Sequence, residues 1–440
     1  MAAETFSHRW FLLVFLHFLT RDLVAASMPR PSSVHCLLCD IDGSLVHYEN
    51  ELLKHGTISM DNSTGIISYA SLGDSEEMGP ENPTEAAMTT SSTMTTILRA
   101  LPPSSTGMQA YISQKTLDIA ASIGKAVPIG IISGGRWSTV KKRMPYLPRA
   151  NAIVSDNGGR IFWRRGNDGG DSSEDILEED ATWRRRIISE SAGAIGDMQE
   201  DGLAPEHRQG ALWDLYRRLT AEGWHCDAEG YATSFRIRLD EGATGPQERE
   251  GDVLPLASSS DCEFDARRLW ERTAPFNGGG GGLTSMGLSC SVNLGLVDVF
   301  PVGSGKQAAG LYVVERLGAT PEATAFLCDD DNDVALATSV GLALVPQCTS
   351  ESMRRASIEA AQDPSASHEQ VAGEGKGSAI VVASIGGCFG TEESLQYVAK
   401  MCVGSRSRSH NQASSDCYVA ETNTSAYTTS HIYSPHAAKF

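Results

Sequence analysis

Apolar residues in this chain gather into short blocks that stop abruptly in polar ones. Val34-His35-Cys36-Leu37-Leu38-Cys39 runs into Asp40-Ile41-Asp42-Gly43-Ser44. Val127-Pro128-Ile129-Gly130-Ile131-Ile132 runs into Ser133-Gly134-Gly135-Arg136, and Thr324-Ala325-Phe326-Leu327-Cys328 into Asp329-Asp330-Asp331-Asn332-Asp333. Apolar runs this short, bounded by turn formers, predict strands buried on both faces of a parallel sheet. Asn151 to Ser155 and Gly341 to Val345 predict two further strands. Between the blocks the apolar spacing turns helical. It predicts helices over Gln114 to Gly124, Trp137 to Tyr146, Ala308 to Leu317 and Glu351 to Ala361. Strands alternating with helices imply an α/β, Rossmann-like parallel-sheet core with helices on both faces.

Two stretches leave this rhythm. From His47 to Thr106 the chain passes through Thr89-Thr90-Ser91-Ser92-Thr93-Met94-Thr95-Thr96 and Leu101-Pro102-Pro103-Ser104-Ser105. That composition predicts a long, partly disordered loop. From 164 to 295 come a basic helix (Trp183 to Ser189), an amphipathic helix (Gly210 to Glu222) and two alternating segments, Tyr231 to Leu239 and Leu288 to Leu294. Five glycines, Gly278 to Gly282, read as a flexible insertion. Helices with half-exposed strands predict an α+β cap inserted into the core, with Trp183, Trp213 and Trp224 as its packing. Val297 to Ala309 is expected to return to the core. The domain reading is thus a targeting segment (1–26), a first core segment (34–163, with the insertion at about 47–106), a cap (164–295), a second core segment (296–400) and a disordered tail (401–440).

Composition narrows the function classes. The 440 residues suffice for two domains plus tails, and 41% hydrophobic with 21% charged residues describes a folded protein. A net charge of −19 with no dense basic patch argues against nucleic acid as a partner. Ten cysteines are too sparse here for a disulfide scaffold, and Cys36-Leu37-Leu38-Cys39 has no second pair at zinc spacing. His8 and Arg9 before the apolar run Trp10 to Leu19, then Leu23-Val24-Ala25-Ala26, read as a secretory or organelle signal. The run is too short to serve as a stable membrane anchor. A start at Met28 would instead leave the chain in the cytoplasm. Asn62-Ser63-Thr64 and Asn423-Thr424-Ser425 are glycosylation acceptors if the chain is secreted.

The block ends carry the candidate chemistry. Ligands of parallel sheets bind beyond the carboxyl ends of the strands. Asp40 and Asp42, one residue apart at such an end, repel each other and call for a cation, of which magnesium is the natural one. An aspartate held there can attack a phosphoryl group. The same residues also make an ordinary Asp-x-Asp-Gly surface turn. Gly303-Ser304-Gly305-Lys306 is not a nucleotide P-loop, because Phe300 stands at the glycine position and Gln307 follows the lysine. The acids from Asp329 to Asp333 lack the glycine and distal glutamate of an EF-hand.

Taken in order, four stretches resemble motifs of the haloacid dehalogenase superfamily of phosphohydrolases. They are Asp40-Ile41-Asp42-Gly43-Ser44, Ile131-Ile132-Ser133-Gly134, Lys306 and Asp329-Asp330-Asp331-Asn332-Asp333. The chain departs from the pattern at Ser44, where threonine is usual, and at Cys328, where glycine is. The cap position between the second and third motifs resembles sucrose-phosphatase-like and related sugar-phosphate phosphatases. The resemblance implies Asp40 as nucleophile, Asp42 as acid and base, and Lys306 as charge balance. It also implies phosphate binding by Ser133, Gly134 and Asn332, and Mg2+ held by Asp40, Asp42, Asp329 and Asp333. The implied partner is a small phosphorylated sugar. A phosphomannomutase-like transfer and a non-catalytic phosphoester-binding protein are the alternatives.

Overall fold

The structure, a computed structural model, describes residues 33–71, 94–104, 107–165, 176–191, 193–238, 282–293, 296–362 and 378–412. The expectations for 1–26, most of the glycine run, Asn423 and the tail beyond 412 lie outside these residues.

Eight strands form the core sheet. Their spatial order is Leu177–Glu179, Arg160–Arg164, Ala152–Ser155, Ile129–Ile132, Cys36–Cys39, Thr324–Leu327, Leu342–Val345 and Ala379–Val382. The last six run parallel, and Arg160–Arg164 runs antiparallel to both of its neighbours. Side chains alternate between faces along a strand. Cys36 and Leu38 therefore enter one apolar cluster and Leu37 and Cys39 another, all fully buried. The first cluster is closed by the helices Gly305–Arg316 and Glu351–Gln362, the second by Gln114–Gly124 and Gly387–Gln412. Burial on both faces explains why the strands read as continuous apolar blocks. It also settles Cys36 and Cys39 as packing groups whose thiols burial pushes well up.

The cap is a four-stranded antiparallel sheet ordered Cys226–Asp227, Phe235–Ile237, Leu296–Pro301, Leu288–Asn293. One face packs Phe235, Ile237, Val297 and Val299 with Trp213 and Leu215 of the helix Ala211–Ala221. The other face carries Arg236, Asp298, Ser291 and Asn293 beside Leu296 and Phe300. There Arg236 lies opposite Asp298 in register and meets it twice, at 2.6 and 2.8 Å. Trp183 and Trp213 are fully buried and Trp224 partly so, all within the apolar cluster.

Three expectations are corrected. Residues 47–106 are not simply a loop. A five-stranded antiparallel sheet, ordered His47–Tyr48, Ala110–Ser113, Thr95–Leu101, Ile67–Ser71, Gly56–Met60, is built largely from them. Threonine favours strands, and a sheet with one wet face needs apolar residues only at alternate positions. Thr96, Leu98 and Leu101 point inward while Thr95, Ile97 and Arg99 face water. Tyr69 of this sheet stacks on Phe389 at 5.4 Å, which docks it against the last helix. Second, Leu296–Pro301 belongs to the cap sheet, so the chain re-enters the core after 301 rather than at 296. Leu177–Glu179 conversely extends the core sheet beyond 163, where its acids face Arg160 and Arg165 and blunt an exposed edge. Third, the helix Gly387–Gln412 continues past 401. No helix among the described residues is long and apolar enough to cross a membrane.

His47 enters the inserted sheet fully buried, its Nε2 2.9 Å from Thr391 Oγ1. Burial lowers its pKa from 6.5 to about 4. The unfolded chain therefore binds a proton between pH 6.5 and 4 that the folded chain refuses, so stability falls as pH drops through that window. The full effect is about 3 kcal/mol. His47→Gln is expected to be less stable than the parent at pH 7, with the gap closing towards pH 4. Denaturant melts across that range check it, and a gap independent of pH would show that His47 is not held neutral.

Candidate active site

Cys36–Cys39 lies between Ile129–Ile132 and Thr324–Leu327, so three polar block ends leave neighbouring strands side by side. Asp40 follows the central strand, Ser133 the second, and Asp329 comes two residues after the third. Lys306 stands in the first turn of Gly305–Arg316, a helix packed on Ile129–Ile132. Parallel-sheet topology thus gathers residues nearly three hundred positions apart.

Asp40, Asp329 and Asp333 are all buried, and their carboxylate oxygens lie within 4.8 Å of one another. Lys306, itself buried, places its Nζ 2.9 Å from Asp40 Oδ1 and 2.8 Å from Asp333 Oδ1. Burial works against the lysine's charge, but Asp333 and Asp40 outweigh it and raise its pKa. Burial pushes Asp40 well above the ordinary carboxylate range; Lys306 pulls it back, while Asp333 and Asp42 push it further. Asp329 is raised likewise by burial, then by Asp40 and Asp333. Three carboxylates against one ammonium leave two negative charges in excess. A divalent cation with hard oxygen ligands is what this donor set fits.

Two hydroxyls orient Asp329. Ser44 Oγ donates to its Oδ1 at 2.8 Å and Thr349 Oγ1 to its Oδ2 at 3.1 Å. Ser44 thus supplies the hydroxyl that threonine would at that position. Gly43 has φ +83°, and a Cβ there would lie 1.9 Å from Asp329 Oδ2. Only glycine lets this turn close over the carboxylate.

Asp42 stands apart. Its Oδ1 accepts from Tyr48 Oη at 2.7 Å and from Arg143 Nη1 at 2.5 Å, and it is a quarter exposed. Among the described residues its side chain lies outside the carboxylate cluster, held aside by Arg143 and Tyr48. On the other flank, Ser133 is buried and its Oγ accepts from the Gly135 amide at 3.0 Å. The Trp137 amide, at the start of the next helix, donates to Asp156 Oδ1 at 3.1 Å. Asn332 lies in the turn Asp331–Asp333, where both atoms of its amide are buried without a hydrogen-bond partner.

No protein-family model matches the chain, and no curated protein matches it. Similar solved structures include two phosphatases and a hydrolase. The sucrose-phosphatase of Synechocystis, solved with sucrose and phosphate, is 11% identical, covering 83% of this chain and 98% of its own at a TM-score of 0.45. A haloacid dehalogenase-like hydrolase from Bacillus subtilis is 12% identical (84% and 93% covered, TM-score 0.39). The C-terminal domain of the trehalose-6-phosphate phosphatase of C. albicans is 13% identical (87% and 97% covered, TM-score 0.34).

Several residues at the site carried no sequence signal. Arg143 closes the run Lys141-Lys142-Arg143, which reads as solvated charge; only the last of the three is buried, over the Tyr48 ring at 5.7 Å. Tyr48 sits in a stretch expected to be loop. Thr349 belongs to no motif. Arg236 could be singled out only once the cap register put it opposite Asp298. Burial lowers its pKa, but Asp298 above all, then Tyr231 and Asp42, raise it.

Proposed function

We propose that this chain is a magnesium-dependent phosphomonoesterase acting on a sugar phosphate through an aspartyl-phosphate on Asp40. The observation that carries this reading is the single constellation of Asp40, Lys306, Asp329 and Asp333 at the carboxyl end of the central strand, with Asp42 beside it and outside the cluster. An Asp40 oxygen attacks phosphorus as the ester P–O bond breaks, and Asp42 gives its proton to the departing sugar oxygen. Arg143 and Tyr48 fix the direction in which that proton moves. Water then attacks the acyl phosphate and Asp42 takes its proton back, so phosphate leaves and Asp40 is restored. Ser133, the Gly134 amide, Asn332 and Lys306 bind the phosphoryl oxygens. Asp40, Asp329 and Asp333 would hold magnesium, which supplies positive charge against the phosphoryl group. The cap face with Arg236 and Asp298 suits the hydroxyl-rich remainder of a sugar.

Incubation with hexose 1-phosphates, hexose 6-phosphates and sucrose 6-phosphate is expected to release free phosphate from at least one. An isomeric sugar phosphate without free phosphate would assign a mutase instead, and binding without turnover a regulatory protein. Chelation of divalent ions should stop release and magnesium restore it. Magnesium should also raise the thermal midpoint, because it binds only the folded cluster. Activity that persists in excess chelator rules the metal out.

A further inference from the structure

Three carboxamides from three segments meet at Gly134. A Cβ built there would lie 2.7 Å from Asn157 Oδ1, 2.8 Å from Asn293 Nδ2 and 3.4 Å from Asn332 Nδ2. Asn157 belongs to the turn after the core strand Ala152–Ser155, at φ 52°, a left-handed conformation that asparagine tolerates. It is 2% exposed, and its Nδ2 is buried without a partner. Asn332 likewise has neither amide atom paired. Native proteins pair nearly all buried polar groups, and exceptions gather where a ligand completes them.

Asn293 comes from the cap. On Leu288–Asn293, alternation sets Ser291 and Asn293 on the face with Asp298 and Arg236, and this strand touches the turn Asp331–Asp333. Asn293 Nδ2 donates to Asp298 Oδ2 at 3.2 Å, and Asp298 is itself pinned by both ends of Arg236. An amide nitrogen carries two hydrogens, and Asp298 takes one. The arrangement fixes the amide plane while leaving a donor for another oxygen.

We infer that Asn157 and Asn293 are substrate-binding residues. With Asn332 and the Gly134 amide they form an uncharged cradle for the oxygens of a phosphate monoester. This rests on the phosphomonoesterase reading and adds two residues to it, one of them on the cap. The chemistry suits the site: two of the three Lys306 hydrogens already go to Asp40 and Asp333, so an arriving phosphate dianion needs further donors. Because Asn293 is on the cap and Asn157 on the core, a bound oxyanion ties the two together.

The test is binding of inorganic phosphate and of tungstate to the full chain with magnesium, by calorimetry, alongside thermal midpoints. Asn157→Gly keeps the left-handed backbone and removes the amide. Asn293→Ala removes the cap donor, and Asn293→Asp keeps its shape but presents a carboxylate. Each variant is expected to bind phosphate about tenfold more weakly, the value of one lost hydrogen bond to a charged group, with Asn293→Asp weakest of all. Thermal midpoints without ligand should change little, which separates ligand contact from a packing role. Should one position fail to fold, the other decides. Parent-like phosphate binding by the folded variants overturns the cradle alone. A parent that binds neither oxyanion overturns both the cradle and the phosphomonoesterase reading.

Discussion

Asp40→Asn is expected to lower phosphoester turnover on the order of 10⁴-fold or more, because a carboxamide cannot take the nucleophile's place. The fold should survive. Asparagine matches the shape of aspartate, and the exchange has two opposing electrostatic consequences. It loses the 2.9 Å contact with Lys306 as an ion pair. It also removes a buried charge whose pKa burial, Asp333 and Asp42 all push up. The two consequences offset each other, so the thermal midpoint should move by no more than a few degrees. The parent, quenched in acid during turnover, should carry a phosphoryl group that the variant lacks. A folded Asp40→Asn protein with turnover within tenfold of the parent would rule out Asp40 as nucleophile.

What could be read from sequence followed burial. Strands covered on both faces must be apolar throughout, so Cys36–Cys39, Ile129–Ile132 and Thr324–Leu327 announce themselves, and so do the polar residues at which they stop. Asp40, Ser133, Lys306, Asp329 and Asp333 were legible because they lie at those stops or open the next helix. The inserted sheet escaped notice because its outer face is wet and its strands are threonine-rich, a pattern shared with disordered segments. Arg143 and Tyr48 were invisible for another reason. Their meaning lies in a contact across 95 residues, 3.4 Å between guanidinium and phenol, with Asp42 between them. Spacing along a chain reports periodicity; it does not report which charged residue is drawn inward. The cap boundary shows the same limit, since Leu296–Pro301 looks like a core strand until its antiparallel partners are known.

Lys306→Met is expected to cost about 3–5 kcal/mol of stability at pH 8 and nearly all turnover, the effect of leaving buried charges without their partner. Methionine keeps the unbranched stem, so lost packing contributes little. What is lost is the ammonium between Asp40 and Asp333, 2.9 and 2.8 Å away with only 3% of the lysine side chain exposed. The sign of the pH dependence follows from the carboxylates. Burial already raises Asp40 and Asp333, and Lys306 is the group that pulls both back. Without it their folded-state pKa values climb further above the unfolded values. The folded variant then binds more protons than its unfolded chain, and it gains stability as pH falls. The deficit relative to the parent should therefore narrow from pH 8 to pH 5. Asp40→Asn added to Lys306→Met should recover some of the loss, because one of the two stranded charges disappears. Urea melts of the parent, both single variants and the double variant at pH 8 and pH 5 measure the coupling directly. If Lys306→Met matches the parent at pH 8, or if the double variant is as unstable as the two single losses added together, then Lys306 does not balance Asp40 and the charge arrangement proposed for catalysis is wrong.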